Sequence, residues 1–303
     1  MITSFNDILR AVKAQPKKTL AVAMAGEEDV LSAVANAHRQ GIADAVLVGK
    51  KERIYECGER AEVDITNFDI IDVETEQEAV VRSIQLVREH LADVLMKGTC
   101  GTATLLKGVL DREHGVRSGN FLSHVALFEA PGYHKLLLMS DGGMNIAPDV
   151  EVKVAIIENA LVVARRLEIE RPKVALLAAV EKVNYKAMPC TVDAAVIAKM
   201  AERGQIRDAI IDGPLAFDNA VSQHACDVKG IDGPVCGDAD ILIVPNIEAG
   251  NICYKTLACL GNGKVAGLIM GARVPIVLTS RSDSEEAKFF SIALGMITGG
   301  RSL

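Results

Sequence analysis

The chain repeats one pattern, in which a short apolar run is followed by a segment of helical periodicity and then by another apolar run. The first cycle has a run at Thr19–Ala25, a periodic segment at Glu27–Gln40 ended by Gly41, and a run at Ala45–Val48. Strand, helix and strand in this order indicate a parallel sheet with right-handed crossovers. With 303 residues, the pattern predicts an α/β fold of one large unit or two domains.

The alternation continues to the end of the chain. Further helices are predicted at Thr75–Leu91, Thr102–Asp111, Val150–Leu167, Thr191–Arg203, Asn251–Leu260 and about Asp283–Ile297. Further strands are predicted at Asp93–Met96, Lys173–Ala178, Ala209–Asp212, Asp240–Pro245, Val265–Met270 and Pro275–Thr279. One hairpin is expected where His124–Glu129 and Lys135–Met139 are joined by APGYH, because Pro-Gly between apolar runs is typical of a tight connection.

Composition excludes several classes of protein. The chain is 50% hydrophobic but only 4% aromatic, without Trp, so its core is aliphatic and it is poorly equipped to stack on bases. Its net charge is −7 and it has no long basic run, which argues against nucleic-acid binding. We expect a cytoplasmic protein, because the N-terminus lacks a signal-peptide profile and no apolar run reaches the roughly 18 residues of a membrane span.

The cysteines predict no metal site. There are 7, an odd number, and no two form a C-x-x-C pair. A zinc site or a disulfide framework is therefore not expected. We expect most of them to be small buried residues in a reducing compartment.

The C-terminal segment PIVLTSRSDSEEAKFFSIALGMI places polar residues between a strand and a helix. Ser282 and Glu285 have the spacing of a capping box, with Ser282 as the N-cap. Ser280 and Arg281 then lie at the carboxyl end of a strand, where ligands bind in α/β sheets. A guanidinium beside the N–H groups of a helix suits phosphate. The alternative is an ordinary strand–loop–helix connection with a surface arginine.

A second candidate is the segment LMKGTCGTATLLKG. Lys97 follows a predicted strand, and a loop with Thr99 precedes a helix. Its main-chain N–H groups, threonine hydroxyls and lysine are predicted to hold an oxyanion, although the order of a P-loop is absent. A plain capping turn explains the pattern equally well.

Three predicted turns, SDGGMN, DGPLAFD and AGNICYK, follow strands and carry polar residues beside glycine. Their candidate residues, which we expect to converge on one cleft, are Asp141, Asn145, Asp212, Asp218, Asn251 and Lys255. Each is also a common turn or cap residue. The three aspartates are the right type for Mg²⁺, but without a compact motif no metal is predicted. G-x-S-x-G and G-x-G-x-x-G are absent, which disfavours a hydrolase triad or a Rossmann dinucleotide site.

These segments resemble the phosphate acetyl/butyryl transferase family, and most closely its butyryl branch. The resemblance covers nearly the whole chain and is carried by LMKGTCGTATLLKGVL, GVRSGNFLSHVALFEAP, LLLMSDGGMNIAPD, DGPLAFDNAV, ADILIVPNIEAGNICYK and PIVLTSRSDS. It implies two α/β/α domains with a cleft, as in isocitrate and isopropylmalate dehydrogenases. The implied domains are residues 1–122 with 268–303, and residues 123–267.

The resemblance also implies a reaction, in which a short-chain acyl-CoA, most simply butyryl-CoA, and phosphate give acyl phosphate and free CoA. It implies no cofactor and a homo-oligomer. Two alternative functions, each from a different class of protein, stay open. One is a metal- and NAD-dependent hydroxyacid dehydrogenase on the same fold, and the other is a non-catalytic acyl-CoA-binding module.

Residue by residue, Ser280 and Arg281 match a Ser-Arg pair of the family, and Arg117 in GVRSG matches an arginine of the acetyl enzymes. Their proposed base, an aspartate, falls on Ala287 here, so that role is unassigned and Asp283 and Glu286 are nearby substitutes. Bulkier residues are expected in butyryl enzymes at three glycines, namely Gly101, Gly142 and Gly143.

The expected mechanism is direct transfer in a ternary complex. Arg281 and Arg117 are assigned to phosphate groups, Ser280 to the reacting thioester, and Lys97 with Thr99 to the phosphoryl group. A covalent route through Cys100 is the alternative, since a thiolate near Lys97 has a lowered pKa in many sites.

Overall fold

The structure is a computed structural model that describes residues 2–119, 121–280 and 283–300. The chain divides into two compact units. The N-terminal unit consists of Phe5–Asn120 and Ala266–Leu303, and the central unit consists of Met1–Ser4 and Phe121–Val265. Each unit combines a sheet with helices, which confirms the predicted α/β class.

The elements alternate along the chain as predicted. The strands are β1 (Lys18–Ala23), β2 (Ala43–Gly49), β3 (Asp69–Asp72), β4 (Val94–Lys97), β5 (Ser123–Glu129), β6 (Leu137–Ser140), β7 (Lys173–Leu177), β8 (Ile210–Leu215), β9 (Ile241–Ile243), β10 (Lys264–Met270) and β11 (Ile276–Val277). The helices are α1 (Phe5–Lys13), α2 (Glu28–Arg39), α3 (Lys51–Arg60), α4 (Glu76–Arg88), α5 (Thr102–Val109), α6 (Val150–Arg166), α7 (Cys190–Glu202), α8 (Phe217–Val221), α9 (Gln223–Lys229), α10 (Ile247–Leu260) and α11 (Glu285–Thr298).

In the N-terminal unit the strand order is β3-β2-β1-β4-β11-β10. The first five strands are parallel, and β10 runs antiparallel to β11. The carboxyl ends of β1, β4 and β11 therefore lie at one edge of the sheet, and the end of β10 lies at the opposite edge. The loops after β4 and β11 are neighbours, because adjacent strands are only about 4.8 Å apart.

Helix α11 is buried from Ala287 to Thr298, whereas Glu285 and Glu286 of its first turn are exposed. Phe290 stacks on Phe5 of α1, with ring centroids 4.4 Å apart. The N-cap of the helix is Ser284, whose hydroxyl accepts the Ala287 N–H at 3.1 Å. The predicted capping box with Ser282 as N-cap is therefore wrong. The helix begins later because the side chain of Ser284 caps it instead.

In the central unit the strand order is β5-β6-β9-β7-β8. The predicted hairpin is confirmed, since β5 and β6 pair antiparallel, whereas β6, β9, β7 and β8 are parallel. Strand β8 does not end at Asp212 as predicted. It continues through Asp212, Gly213 and Pro214, and a shift of register between Ala175 and Leu177 of β7 accommodates the extra residue.

The sequence did not predict some elements that are short or strongly polar, namely α1, α3, α9 and β3. Helix α10 begins at Ile247, one turn before the predicted start. Cys226 and Cys236 form a disulfide, contrary to the expectation of buried thiols. Within the described part of the chain, every helix is too short or too polar to span a bilayer.

Candidate active site

The loop after β4, residues 97–101, is held against the end of β1. The amides of Gly98 and Thr99 donate to the carbonyls of Ala23 and Met24, each at 2.8 Å, and the Thr99 hydroxyl donates to Met24 O at 3.1 Å. A Cβ at Gly98 would lie 2.1 Å from Met24 O, so only glycine fits. These donors are committed to the protein. The predicted oxyanion cradle of main-chain amides is therefore not formed by Gly98 and Thr99.

A carboxylate that sequence reasoning missed lies at the start of α5. Gly101, the N-cap, has no side chain, and its N–H donates to Glu76 Oε1 at 3.0 Å. Hydrogen bonds from the Thr104 side chain and the Gly101 amide lower the pKa of Glu76. Glu76 thus occupies N-terminal donors of α5 that the sequence had assigned to a ligand. The two residues in contact are 25 positions apart, and no local pattern joins them.

Lys97 carries the buried positive charge of this loop. It is 8% exposed, and its ammonium donates to the carbonyls of Gly98 at 3.0 Å and Cys100 at 3.3 Å. A buried cation requires such partners. An ammonium group has three N–H donors, and the contacts with described residues use two of them.

Cys100 is not an activated thiol. It is 1% exposed, and its thiol donates to Ala23 O at 3.5 Å. Burial raises the pKa of Cys100 to about 11, although the nearby Lys97 acts in the opposite direction. The alternative of a lowered thiol pKa is therefore wrong, because desolvation of the thiolate outweighs the ammonium.

In the segment after β11, Ser280 and Asp283 are joined by two hydrogen bonds, and we call this pair the Ser280 turn. The Ser280 N–H donates to Asp283 Oδ2 at 2.7 Å, and the Asp283 N–H donates back to Ser280 O at 3.1 Å. Arg281 and Ser282 lie outside the described residues, so the role of Arg281 stays a prediction. The parallel pairing of Val277 with Met96 places Ser280 at the same edge as the Lys97 loop.

Arg117 lies elsewhere in the N-terminal unit. Its backbone pairs with Ala272, which follows β10, and its carbonyl accepts the Arg273 Nε–H at 3.0 Å. Since β10 is antiparallel to β11, this bridge lies at the opposite end of the strands from Lys97. The structure does not bring the backbone of Arg117 to the edge that carries Lys97 and Ser280.

In the central unit, the loop after β6 is organised by one carboxylate. Asp141 is 2% exposed. It accepts the amides of Gly143 at 2.8 Å, Met144 at 3.0 Å and Asn145 at 3.2 Å, and the Asn145 side-chain amide at 2.6 Å. The buried negative charge is therefore satisfied entirely by N–H donors.

The first turns of α10 pack on this loop. Asn251 Nδ2 donates to Gly142 O at 3.2 Å, and a Cβ at Gly250 would lie 2.8 Å from the Cα of Gly142. A Cβ at Gly142 would lie 3.2 Å from the carbonyl oxygen of Gly250, so the bulkier residue expected there would require this neighbour to shift. Lys255 follows one turn later, with its ammonium 5.3 Å from the ring centroid of Tyr254. Asp141, Asn145 and Asn251 are thus brought together as predicted, with Lys255 on the same helix.

The sequence also missed His124 of β5. Its ring is 5.7 Å from that of Tyr254, measured between centroids, and a Cβ at Gly143 would lie 3.4 Å from its Cβ. The signal was available, because the predicted hairpin pairs the strand of His124 with the strand that leads to Asp141.

Two aspartates of the predicted cluster make other contacts than Asp141 does. Asp212 shares a row of the sheet with Met139, with two strands between them. The strand spacing separates these two residues by roughly 14 Å. Asp218 pairs with Lys229 Nζ at 2.9 Å. The convergence of Asp212 and Asp218 on the same cleft therefore stays a prediction. No group of three or more His, Cys, Asp or Glu able to hold a metal occurs among the described residues.

The N-terminal unit thus places the Lys97 loop and the Ser280 turn at one edge of a mostly parallel sheet. A family model for phosphate acetyl/butaryl transferases matches residues 4–82 and 75–296, and the chain belongs to this family.

The relatives include proteins named for butyryl transfer and proteins named for acetyl transfer. The phosphate butyryltransferase of Clostridium acetobutylicum is 44% identical over 300 residues, 99% of each chain. The phosphate acetyltransferase of Thermotoga maritima is 46% identical over 280 residues, 92% of this chain and 95% of the relative. A crystal structure of a branched-chain phosphotransacylase from Enterococcus faecalis superposes with a TM-score of 0.82 at 36% identity, covering 93% of this chain and 98% of that one.

Proposed function

We propose that this protein transfers a butyryl group between coenzyme A and inorganic phosphate, so that butyryl-CoA and phosphate give butyryl phosphate and free CoA. The observation that carries the proposal is the similarity over 99% of the chain to a phosphate butyryltransferase. The relative named for acetyl transfer is almost equally similar. The acyl group is therefore the part of the proposal that most needs a test.

The chemistry requires cations for phosphate and donors for the oxyanion that forms on the thioester carbonyl. Lys97 supplies its third N–H to phosphate, and Thr99 holds the loop that positions it. Ser280 donates its hydroxyl to the reacting thioester. Arg281 binds phosphate from the same segment, and Arg117 extends from the opposite edge to phosphate groups of CoA. No acyl-enzyme is required, because direct transfer needs only that both substrates are positioned together.

The central unit contributes binding groups rather than reacting ones. Asn251 and Lys255 of α10 offer an amide and an ammonium to the CoA chain, and the loop from Asp141 to Asn145 shapes the acyl end. Asp283 is the candidate for the base that accepts the CoA thiol proton in the reverse reaction. Since its carboxylate accepts the Ser280 amide at 2.7 Å, it also links the candidate base to the serine.

We infer that the two units are α/β/α domains that face a cleft, as in isocitrate and isopropylmalate dehydrogenases. The enzyme works in the cytoplasm as a homo-oligomer and needs no cofactor beyond its substrates. Divalent metal has no part in this mechanism, since phosphate is neutralised by lysine and arginine.

The test is release of CoA from acetyl-, propionyl-, butyryl- and isobutyryl-CoA, each with and without phosphate. We expect phosphate-dependent release with the highest kcat/KM for butyryl-CoA. A higher kcat/KM for acetyl-CoA would overturn the acyl assignment. Reduction of NAD with a hydroxyacid and Mg²⁺ would instead support the dehydrogenase reading, and acyl-CoA binding without turnover would support the non-catalytic one.

A further inference from the structure

Lys288 is a fully buried lysine in the first turn of α11. The whole residue, including its ammonium group, is only 1% exposed. Its ammonium donates to the backbone carbonyl of Asp283 at 2.6 Å and contacts Asp29 Oδ2 of α2 at 3.4 Å. One side chain thus joins the turn that carries Ser280 to a neighbouring helix.

The stability of α11 does not explain a lysine at this position. Removing an ammonium group from water costs several kcal/mol unless it is well paired. The amino end of a helix carries partial positive charge, which favours acids such as Glu285 and Glu286 and disfavours a cation. Lys288 has partners for its ammonium, but it is a cation at the unfavourable end of the helix, and such a departure is expected where a residue serves a site.

What Lys288 holds is the Ser280 turn. The Asp283 carbonyl binds the ammonium, while the Asp283 carboxylate accepts the Ser280 amide. The contacts run from Asp29 through Lys288 and Asp283 to Ser280. We infer that Lys288 is a positioning residue, which fixes the turn so that the Ser280 hydroxyl meets the thioester. This inference rests on the proposed function.

The opposite end of α11 offers a matched control. Lys18 Nζ donates to the carbonyls of Met296 and Gly299, both at 2.6 Å. A cation at the carboxyl end of a helix is favourable, so Lys18 is explained by stability alone. Both lysines bind backbone carbonyls of the same helix or its flank, but only Lys288 contacts the turn of Ser280.

The experiment compares Lys288→Met, Asp29→Asn and Lys18→Met with the unmodified chain. Methionine keeps an apolar stem of similar length and removes the ammonium. For Lys288→Met we expect kcat/KM for butyryl-CoA to fall on the order of 100-fold, the loss that a displacement of about 1 Å can cause. The fall should lie mainly in kcat, because Ser280 is assigned to the reacting thioester. Lys18→Met should lower the melting temperature but keep kcat/KM within about 3-fold.

Hydrogen exchange provides a readout that does not depend on turnover. In Lys288→Met the amides of Ser280 and Asp283 should exchange faster, while those of β1 and β4 keep their protection. Asp29→Asn should cause a smaller change of the same kind in both measurements, since Asp29 is the more distant partner.

A folded Lys288→Met protein with kcat/KM within about 3-fold of the unmodified chain, or with unchanged exchange at Ser280 and Asp283, would overturn the inference. If Lys288→Met does not fold, Asp29→Asn decides in the same way. If the unmodified chain lacks phosphate-dependent activity, the proposed function fails, and the exchange data still decide whether Lys288 orders the turn.

Discussion

The two units carry loops at corresponding sheet edges, but they handle charge in opposite ways. After β4, the buried charge is the ammonium of Lys97, bound by two carbonyls of its own loop. After β6, the buried charge is the carboxylate of Asp141, bound by three backbone amides and the Asn145 side chain. Within the described residues, the Lys97 ammonium retains one N–H without an acceptor, whereas the Asp141 carboxylate accepts four hydrogen bonds.

We infer from this difference that the Lys97 loop binds substrate and that the Asp141 loop is a scaffold. An anion that approaches the Lys97 loop meets a positive charge held in place, and the Ser280 turn lies beside it. A cation that approaches Asp141 would have to displace hydrogen bonds that hold the loop together. The contrast predicts that Lys97 acts on substrate and that Asp141 acts on structure.

The largest effect is expected at Asp141. Replacement by Ala leaves the amides of Gly143, Met144 and Asn145 without their acceptor. Hydrogen bonds to a charged group are worth about 1.5–3 kcal/mol each, so losing those to the buried Asp141 carboxylate should lower the free energy of unfolding by about 3 kcal/mol or more. Urea denaturation measures this loss. Asp149→Ala is the control, because Asp149 caps α6 through one bond to the Val152 amide, which is worth about 1 kcal/mol. Equal losses in the two variants would contradict the scaffold role.

At Lys97 the expected effect is on turnover. Lys97→Met removes the charge assigned to phosphate, and kcat/KM should fall on the order of 100-fold, as for loss of one oriented donor in an active site. Lys107→Met, at an exposed position of the following helix α5, should change kcat/KM by less than about 3-fold. Thermal melting shows whether both variants are folded at the assay temperature. Similar kinetics for the two variants would remove Lys97 from the site.

Asp212 tests how far the central site extends. Its carboxylate accepts the Gly213 amide at 2.8 Å inside β8, apart from Asp141. Asp212→Asn should therefore leave kcat/KM within about 3-fold and cause only a small loss of stability. A large fall in kcat/KM with KM for CoA raised would instead support the predicted convergence of Asp212 on the site.

Cys100 should show the smallest effect. Cys100→Ala should keep kcat/KM and lower stability by about 1 kcal/mol through lost packing. Because the thiol pKa is raised to about 11, the thiolate is scarce at pH 8 and becomes abundant only as the pH rises through that value. Alkylation by iodoacetamide should follow the same dependence. Rapid alkylation of Cys100 at pH 8 with loss of activity would contradict a buried, protonated thiol.

The sequence predicts most of the fold because apolar periodicity reports buried faces directly. Prediction from sequence fails where two local structures are both compatible with the same residues. Ser282 and Ser284 both offer a hydroxyl before α11, and Ser284 is the cap. Asp212, Gly213 and Pro214 have the composition of a turn, yet β8 continues through them because β7 shifts its register.

The candidate site is harder to predict, because it depends on contacts between distant residues. The bond between Glu76 and the Gly101 amide has no local signature. The direction of β10 was within reach. The predicted strands Val265–Met270 and Pro275–Thr279 are joined by only a few residues, whereas a parallel crossover needs about a dozen. An antiparallel β10 follows from that length, but the bridge between Arg117 and Ala272 has no local signature.

The central claim is direct transfer of the acyl group between two substrates bound together, without a cysteine intermediate. Initial rates over a grid of butyryl-CoA and phosphate concentrations, in the presence of excess chelator, test it most directly. The account predicts full activity and double-reciprocal lines that intersect. Parallel lines with a butyryl thioester trapped on Cys100, or activity that is lost with chelator and restored by Mg²⁺, would contradict it.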